Sequence, residues 1–295
     1  MSKGFVPRRT KRDKTGLDRS KRKRDRRYSA ATTVKGELPT RPASSAVSKH
    51  RSWGFYGPSG TGKTTIVGSF PAPILLMDIN DEGSDSLADL GDDVQIMTVQ
   101  EWDDLEEAYW WLVENPGRFK TVVLDTVTEL QEIAIRKILT DVGKDPNKSA
   151  DWGSMSRQQW GEVSGLMKTW ITNFRNLSLS DPGIDVVFNA QQRIFNAEED
   201  AEDSAAIAPE IGPRLSPSVS DHLRAALSVI GSTYIRERRI KDKKTKKITK
   251  KIQYCLRIGP NPTYITKIRK PKSVVLPDVL VDPTYEDIIA VMKGE

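Results

Sequence analysis

The stretch at residues 51–70, RSWGFYGPSGTGKTTIVGSF, constrains the fold of this chain more than any other. From Gly57 through Pro58, Ser59, Gly60, Thr61 and Gly62 to Lys63 and Thr64 it matches the phosphate-loop pattern G-x-x-x-x-G-K-[ST] at every fixed position. The glycines admit backbone conformations closed to residues with a Cβ, so successive N–H groups can converge on phosphate oxygens. A helix starting near Gly62 adds the positive end of its dipole. Lys63 is spaced to reach β- and γ-phosphates and Thr64 to set its hydroxyl on Mg²⁺, with Thr65 next in the loop's set. Residues 53–56 read as a strand and 64–70 as a helix start. That setting disfavours the bland alternative, a chance glycine-rich turn. An NTP site that takes Mg²⁺ is expected.

The order of elements that follows predicts the fold class. PAPILLMDIN and VQIMTV read as strands, and Thr98 to Glu101 as a capping box opening a helix that carries Trp102, Leu105, Tyr109 and Leu112. FKTVVLDTVTEL gives a buried strand ending in Asp125 and then a helix to about Leu139. A loop leads to a long amphipathic helix with Trp160, Val163, Met167, Trp170, Phe174 and Leu177 on one face, and IDVVFNAQQR is the next strand. Strands alternating with helices predict an α/β fold, a mostly parallel central sheet covered on both faces. The final third turns to strand after strand, which predicts antiparallel additions at the C-terminal edge.

Asp125 is the expected partner of the phosphate loop. A carboxylate at the carboxyl end of a neighbouring buried strand lies where such sheets bind ligands, and can hold Mg²⁺ together with Thr64. The competing reading is an aspartate that merely caps the following helix. Thr126, not an acid, comes next, so a water-activating carboxylate has to come from elsewhere; MDINDEGSDSL supplies candidates.

Composition narrows the class. One cysteine, Cys255, excludes a disulfide framework within the chain and, with two histidines, leaves little for metal chemistry beyond Mg²⁺. Cys255 sits in a strand-like run and reads as a buried thiol. No apolar run approaches a membrane span, and the basic N-terminus lacks the apolar segment of a signal peptide, so no membrane partner and a soluble, cytoplasmic protein are expected. The net charge of +6 conceals a segregation: residues 1–27 carry +10 and residues 236–251 carry +8, which leaves −12 for the rest. The first segment is expected to be a disordered basic tail over residues 1–48. The second lies between LSVIGSTYI and KIQYCLRIG and reads as a long basic hairpin. Two basic appendages on an acidic body favour polyanion binding over simple solubilisation.

The pieces in order — phosphate loop, MD…EG cluster, VVLDT, FNAQQR, YITKIRKP — resemble a RecA-like P-loop ATPase core. Within that class the chain is most similar to the phage Sak-four-type proteins, ATPases linked to single-strand annealing and recombination. The resemblance covers residues 50–272. It implies a core over residues 49–275, with 236–251 as an insertion and 276–295 as a C-terminal extension. It further implies that Glu82 polarises the attacking water, with Asp81 as rival because the spacing from Asp78 is one residue longer than the family's. Gln191 would sense the γ-phosphate, with Gln192 as fallback. Lys267 and Arg269 would reach the γ-phosphate of a neighbouring subunit. Single-stranded DNA as partner, a homo-oligomer in ring or filament form, and cooperation with a single-strand-binding protein follow from the same resemblance. The chain departs from it after Gln191, where an acidic run stands in place of a basic, glycine-rich loop; Phe195 and Trp152 are the candidates for base stacking, with core packing as the favoured alternative for both. Two other readings stay open: a nucleotide or small-molecule kinase, and an ATP-binding scaffold without turnover.

Overall fold

The computed structural model describes residues 50–80, 84–148, 151, 153–195, 209–241 and 248–295. The expectations placed on residues 1–48, Asp81, Glu82, Trp152, the acidic run 198–203 and hairpin residues 242–247 lie outside these.

A mixed sheet forms the middle layer. Its strands are β1 (Ser52–Gly57), β2 (Ile74–Ile79), β3 (Val94–Val99), β4 (Thr121–Asp125), β5 (Asp185–Phe195), β6 (Glu210–Pro213), β7 (Val229–Lys241), β8 (Ile248–Arg257), β9 (Lys267–Ile268) and β10 (Val279–Val281). The order across it is β10-β8-β7-β1-β5-β4-β2-β3, with β6 on β5 and β9 on β7. From β3 to β7 all neighbours run parallel, whereas β8 and β10 are antiparallel. The expected architecture is therefore the observed one. Continuous burial along β1 and β2 explains why these strands read as unbroken apolar runs: both of their faces are covered.

Two apolar layers flank the sheet. One contains Tyr56, Leu124 and Phe188 from the strands. Over them lie the buried sides of α2 (Trp102–Glu114), α3 (Val127–Asp141), α4 (Arg157–Leu177) and α5 (Pro217–Ala226). The other layer holds Trp53, Phe55, Val123 and Val187 beneath the short α1 (Lys63–Val67) and α6 (Tyr285–Lys293). Trp53, Phe70 and Tyr285 form an aromatic cluster there, with centroids 4.8–5.6 Å apart. Each fully buried large side chain contributes about 1.5–3 kcal/mol of transfer free energy.

Two local expectations change. The capping box opening α2 is Glu101 with Asp104, not Thr98 with Glu101, because Thr98 is still paired with Asp78 inside β3. Trp160 lies in the first turn of α4 and is 42% exposed, while the face from Val163 to Leu177 is buried. The cap of α3 is Thr126, whose hydroxyl accepts from the Glu129 amide. Asp125 is thereby left free of capping.

Candidate nucleotide-binding site

Strand alternation decides which side chains meet at the carboxyl end of the sheet. Asp78 on β2, Asp125 on β4, Asn189 and Gln191 on β5, Gly57 on β1 and Thr233 on β7 alternate in step with residues of the α1-side layer. Register sets them side by side: Asp78 pairs with Asp125, Asp125 with Asn189, and Gln191 with Gly57. Gln192 falls on the opposite face.

The phosphate loop bridges β1 and α1. Gly60 and Gly62 have φ of 73° and 86°, left-handed values that L side chains rarely adopt, and Gly62 is also the N-cap of α1. A Cβ on Gly57 would fall 2.2 Å from Thr233 Oγ1, so only glycine lets the loop leave β1 here. Pro58, Ser59, Gly60 and Thr65 are exposed, while Thr61 and Lys63 are buried. Thr61 donates to the Pro58 carbonyl at 2.7 Å and shares a second hydrogen bond of 2.7 Å with Thr233.

Lys63 turns its ammonium back on the loop, donating to the carbonyls of Gly57 at 3.2 Å and Pro58 at 3.0 Å. Burial pulls its pKa down, and the charge of Asp125 works in the other direction. Thr64 Oγ1 donates to Asp125 Oδ2 at 2.7 Å, and Asn189 Nδ2 donates to the same oxygen at 3.0 Å. Burial pushes the Asp125 pKa up, with a small push from Asp78; the hydrogen bonds from Thr64 and Asn189 and the charge of Lys63 pull it down. Asn189 Oδ1, fully buried beside this carboxylate, has no hydrogen-bond partner among the described residues.

These residues fit a hydrated Mg²⁺. A hydroxyl and a carboxylate meet where a divalent cation would relieve the desolvated charge, and a spare buried oxygen faces the need for a water proton. Gln191 ends the same row, its backbone N–H donating to Thr128 Oγ1 at 3.0 Å and its backbone carbonyl accepting from the Arg214 N–H.

Lys267 and Arg269 lie elsewhere. β9 pairs with the start of β7, so Lys267 stands opposite Ile230. Lys267 Nζ donates to the carbonyls of Arg224 and Ala225 at 2.6 and 3.2 Å, and Arg269 Nη2 to that of Ala225 at 3.2 Å. Both cations cap the C-terminus of α5, and the structure does not bring them to the phosphate loop of their own chain. Phe195 is half-buried under the Arg193 guanidinium, and Cys255 is a buried free thiol. Asn189, Thr233 and Tyr254, whose ring lies against Gly62, were not singled out by the sequence; Asn189 does sit inside the FNAQQR strand.

A family model for an AAA domain, AAA_24, matches residues 49–270. The chain belongs to the AAA_24 family. This AAA_24 chain is thus a P-loop ATPase-type domain, and its phosphate loop opens the matched region. Among solved structures it is similar to the KaiC-like protein PH0186 from the archaeon Pyrococcus horikoshii OT3, at 12% identity and a TM-score of 0.37, over 79% of this chain and 89% of that one. It is also similar to the RadB recombinase, at 11% identity and a TM-score of 0.36, over 70% and 86% of the two chains. The flagellar accessory protein FlaH from Methanocaldococcus jannaschii matches at 9% identity and a TM-score of 0.35, over 79% and 90%. Likenesses this distant say nothing further about the AAA_24 chain. Comparison with curated proteins finds no match. Among the described residues no helix is long and apolar enough to cross a membrane.

Proposed function

We propose that this AAA_24 domain hydrolyses ATP with Mg²⁺ and does so on single-stranded DNA, as an assembly of several copies. The observation that carries the first part is the 2.7 Å contact between Thr64 and Asp125 at the mouth of a complete phosphate loop. Residues 57–65 would cradle the phosphates, and Thr64 and Asp125 would hold the metal. Bound Mg²⁺ supplies charge neutralisation at the β- and γ-phosphate oxygens. Lys63 would exchange its two loop carbonyls for phosphate oxygens, and Gln191 stands on the correct face to sense the terminal one. Glu82 is assigned the water-activating role and Lys267 and Arg269 the role of cations supplied in trans; both assignments rest on the resemblance to RecA-type and Sak-four-type sequences.

The DNA-directed part is supported by charge. β7 and β8 run on past the sheet as a ribbon that, among the described residues, exposes Arg236, Arg238, Arg239, Lys250 and Lys251 against one acid, Glu237. Such a cationic arm binds phosphate backbones through counterion release. Measuring ATP turnover with and without single-stranded DNA, with Lys63→Ala as the control, tests the reading. Stimulation by DNA is expected. A requirement for a small phosphoacceptor would replace it with a kinase, and DNA-independent or absent turnover would overturn the DNA-directed claim.

A further inference from the structure

The α1-side face of the β7–β8 ribbon carries an exposed apolar patch that the proposed ATPase function leaves unused. Ile235 pairs across the ribbon with Tyr254, and Ile252 lies two residues along β8 on the same face. They are 42%, 45% and 52% exposed for Ile235, Tyr254 and Ile252. Cross-strand neighbours of this kind stand about 5 Å apart, so the three form one continuous surface. It begins at the phosphate loop: a Cβ on Gly62 would fall 3.2 Å from Tyr254 Cδ1. Tyr254 is held by its backbone, since its amide donates to Asp282 Oδ1 at 3.0 Å and its carbonyl accepts from the Asp282 amide at 2.6 Å.

The direction a nucleotide must take is set by the other half of the site. Thr64, Asp125 and Gln191 gather on the β4–β5 side of β1, where the metal and the terminal phosphate would lie. The nucleoside end of the same molecule therefore leaves the loop on the opposite side, toward β7 and β8. With strands about 4.8 Å apart, β8 stands roughly 19 Å from β4 across four spacings, comparable to the length of an extended nucleoside triphosphate. What it meets there is a half-exposed phenol ring between two isoleucines, on a strand tethered by Asp282.

We infer that Tyr254, flanked by Ile235 and Ile252, is the platform on which the base of the bound nucleotide stacks. Every base has a π-face, and an aromatic platform with apolar borders recognises it without reading its edge. The basic ribbon thus becomes part of the nucleotide site, and filling the site fixes the root of the arm. This inference rests on the ATP reading above.

Tyr254→Ala and Tyr254→Phe, titrated with Mg²⁺·ATP and with Mg²⁺·tripolyphosphate, test it, because tripolyphosphate occupies the loop without a base. The alanine variant is expected to weaken ATP binding by about 5- to 100-fold and to leave tripolyphosphate binding unchanged, while the phenylalanine variant keeps both. Equal losses for both ligands would mean that Tyr254 only braces Gly62, and an unchanged ATP affinity would mean no stacking; either overturns the platform. Wild-type protein that binds tripolyphosphate but gains nothing from the nucleoside also overturns it. Wild-type protein that binds neither ligand would bring down the ATP reading itself.

Discussion

The hydroxyls of Thr61 and Thr233 share a hydrogen bond of 2.7 Å across 172 residues of sequence. The Thr233 hydroxyl also lies 3.3 Å from the carbonyl of Tyr56, the last residue before the phosphate loop begins. One threonine of the ribbon therefore holds both the entrance and the middle of the loop.

Thr233→Val removes these bonds at nearly constant volume. It is expected to cost about 1 kcal/mol, seen as a melting point lower by about 2–4 °C, and to weaken ATP binding. Thr233→Ser, which keeps the hydroxyl, is expected to retain both. Identical melting and binding for valine and wild type would show that the loop holds its shape without the ribbon.

Asp125 yields a prediction in which stability and activity part. Burial raises its folded-state pKa above the ordinary carboxylate value. A carboxylate shifted upward binds its proton better when folded, so its contribution to stability is fully present below the unfolded pKa of about 3.9 and is lost as pH rises through the folded pKa. Without ligand, Asp125→Asn is expected to melt at or above the wild-type temperature at neutral pH, with a flatter pH dependence across the acid range. The same variant is expected to lose Mg²⁺-dependent turnover by roughly 100-fold or more. Calorimetry over pH together with a turnover assay checks both; an asparagine variant that melts well below wild type at neutral pH contradicts the desolvation argument.

The ribbon's charge makes a quantitative claim about salt. Arg236, Arg238 and Lys251 share the face turned away from the phosphate loop. Replacing all three with alanine is expected to lower the slope of log affinity for single-stranded DNA against log salt by about 0.7 for each phosphate no longer neutralised. An unchanged slope would remove this face from the DNA interface.

Lys267 and Arg269 are held by the carbonyls of α5, and the function proposed above gives them a second role on a neighbouring copy. Burial and the nearby charges of Arg269 and Arg224 lower the Lys267 pKa. Alanine at either position is expected to cost about 0.3–1 kcal/mol, because a cation is removed from the helix end. If the cations also act in trans, Arg269→Ala mixed with Lys63→Ala, each inactive alone, regains part of the DNA-stimulated turnover. No recovery in mixed assemblies shown to form confines these residues to the helix end.

The phosphate loop and the buried strands were legible because their signals are local: glycine spacing in one case, unbroken apolar runs in the other. Asp125 was legible because a carboxylate at the end of a buried strand has few other uses, and the Thr126 cap removes the main one. Asn189, Thr233 and Tyr254 were not. Their places are set by register between strands far apart in sequence, and no local pattern records which residue of β8 ends up against Gly62. Lys267 and Arg269 were legible as a basic pair on a late strand, but their α5 partners depend on where β9 docks. Trp160 carries the helical period of its neighbours, yet sits in the first turn of α4, ahead of the first buried position at Val163.

β10 covers β8 only opposite residues 255–257, and β1 ends at Gly57, so among the described residues the ribbon beyond Thr233 and Tyr254 has an unpaired edge on each side. Open edges of this sort invite further strands, and flanking lysines and arginines are one of the ways natural sheets turn them away. The arm is thus guarded against its own kind: a second copy meets it with the same charge and is repelled. A strand rich in carboxylates meets no such repulsion, so charge sorts the edge's company before any side-chain fit is tried.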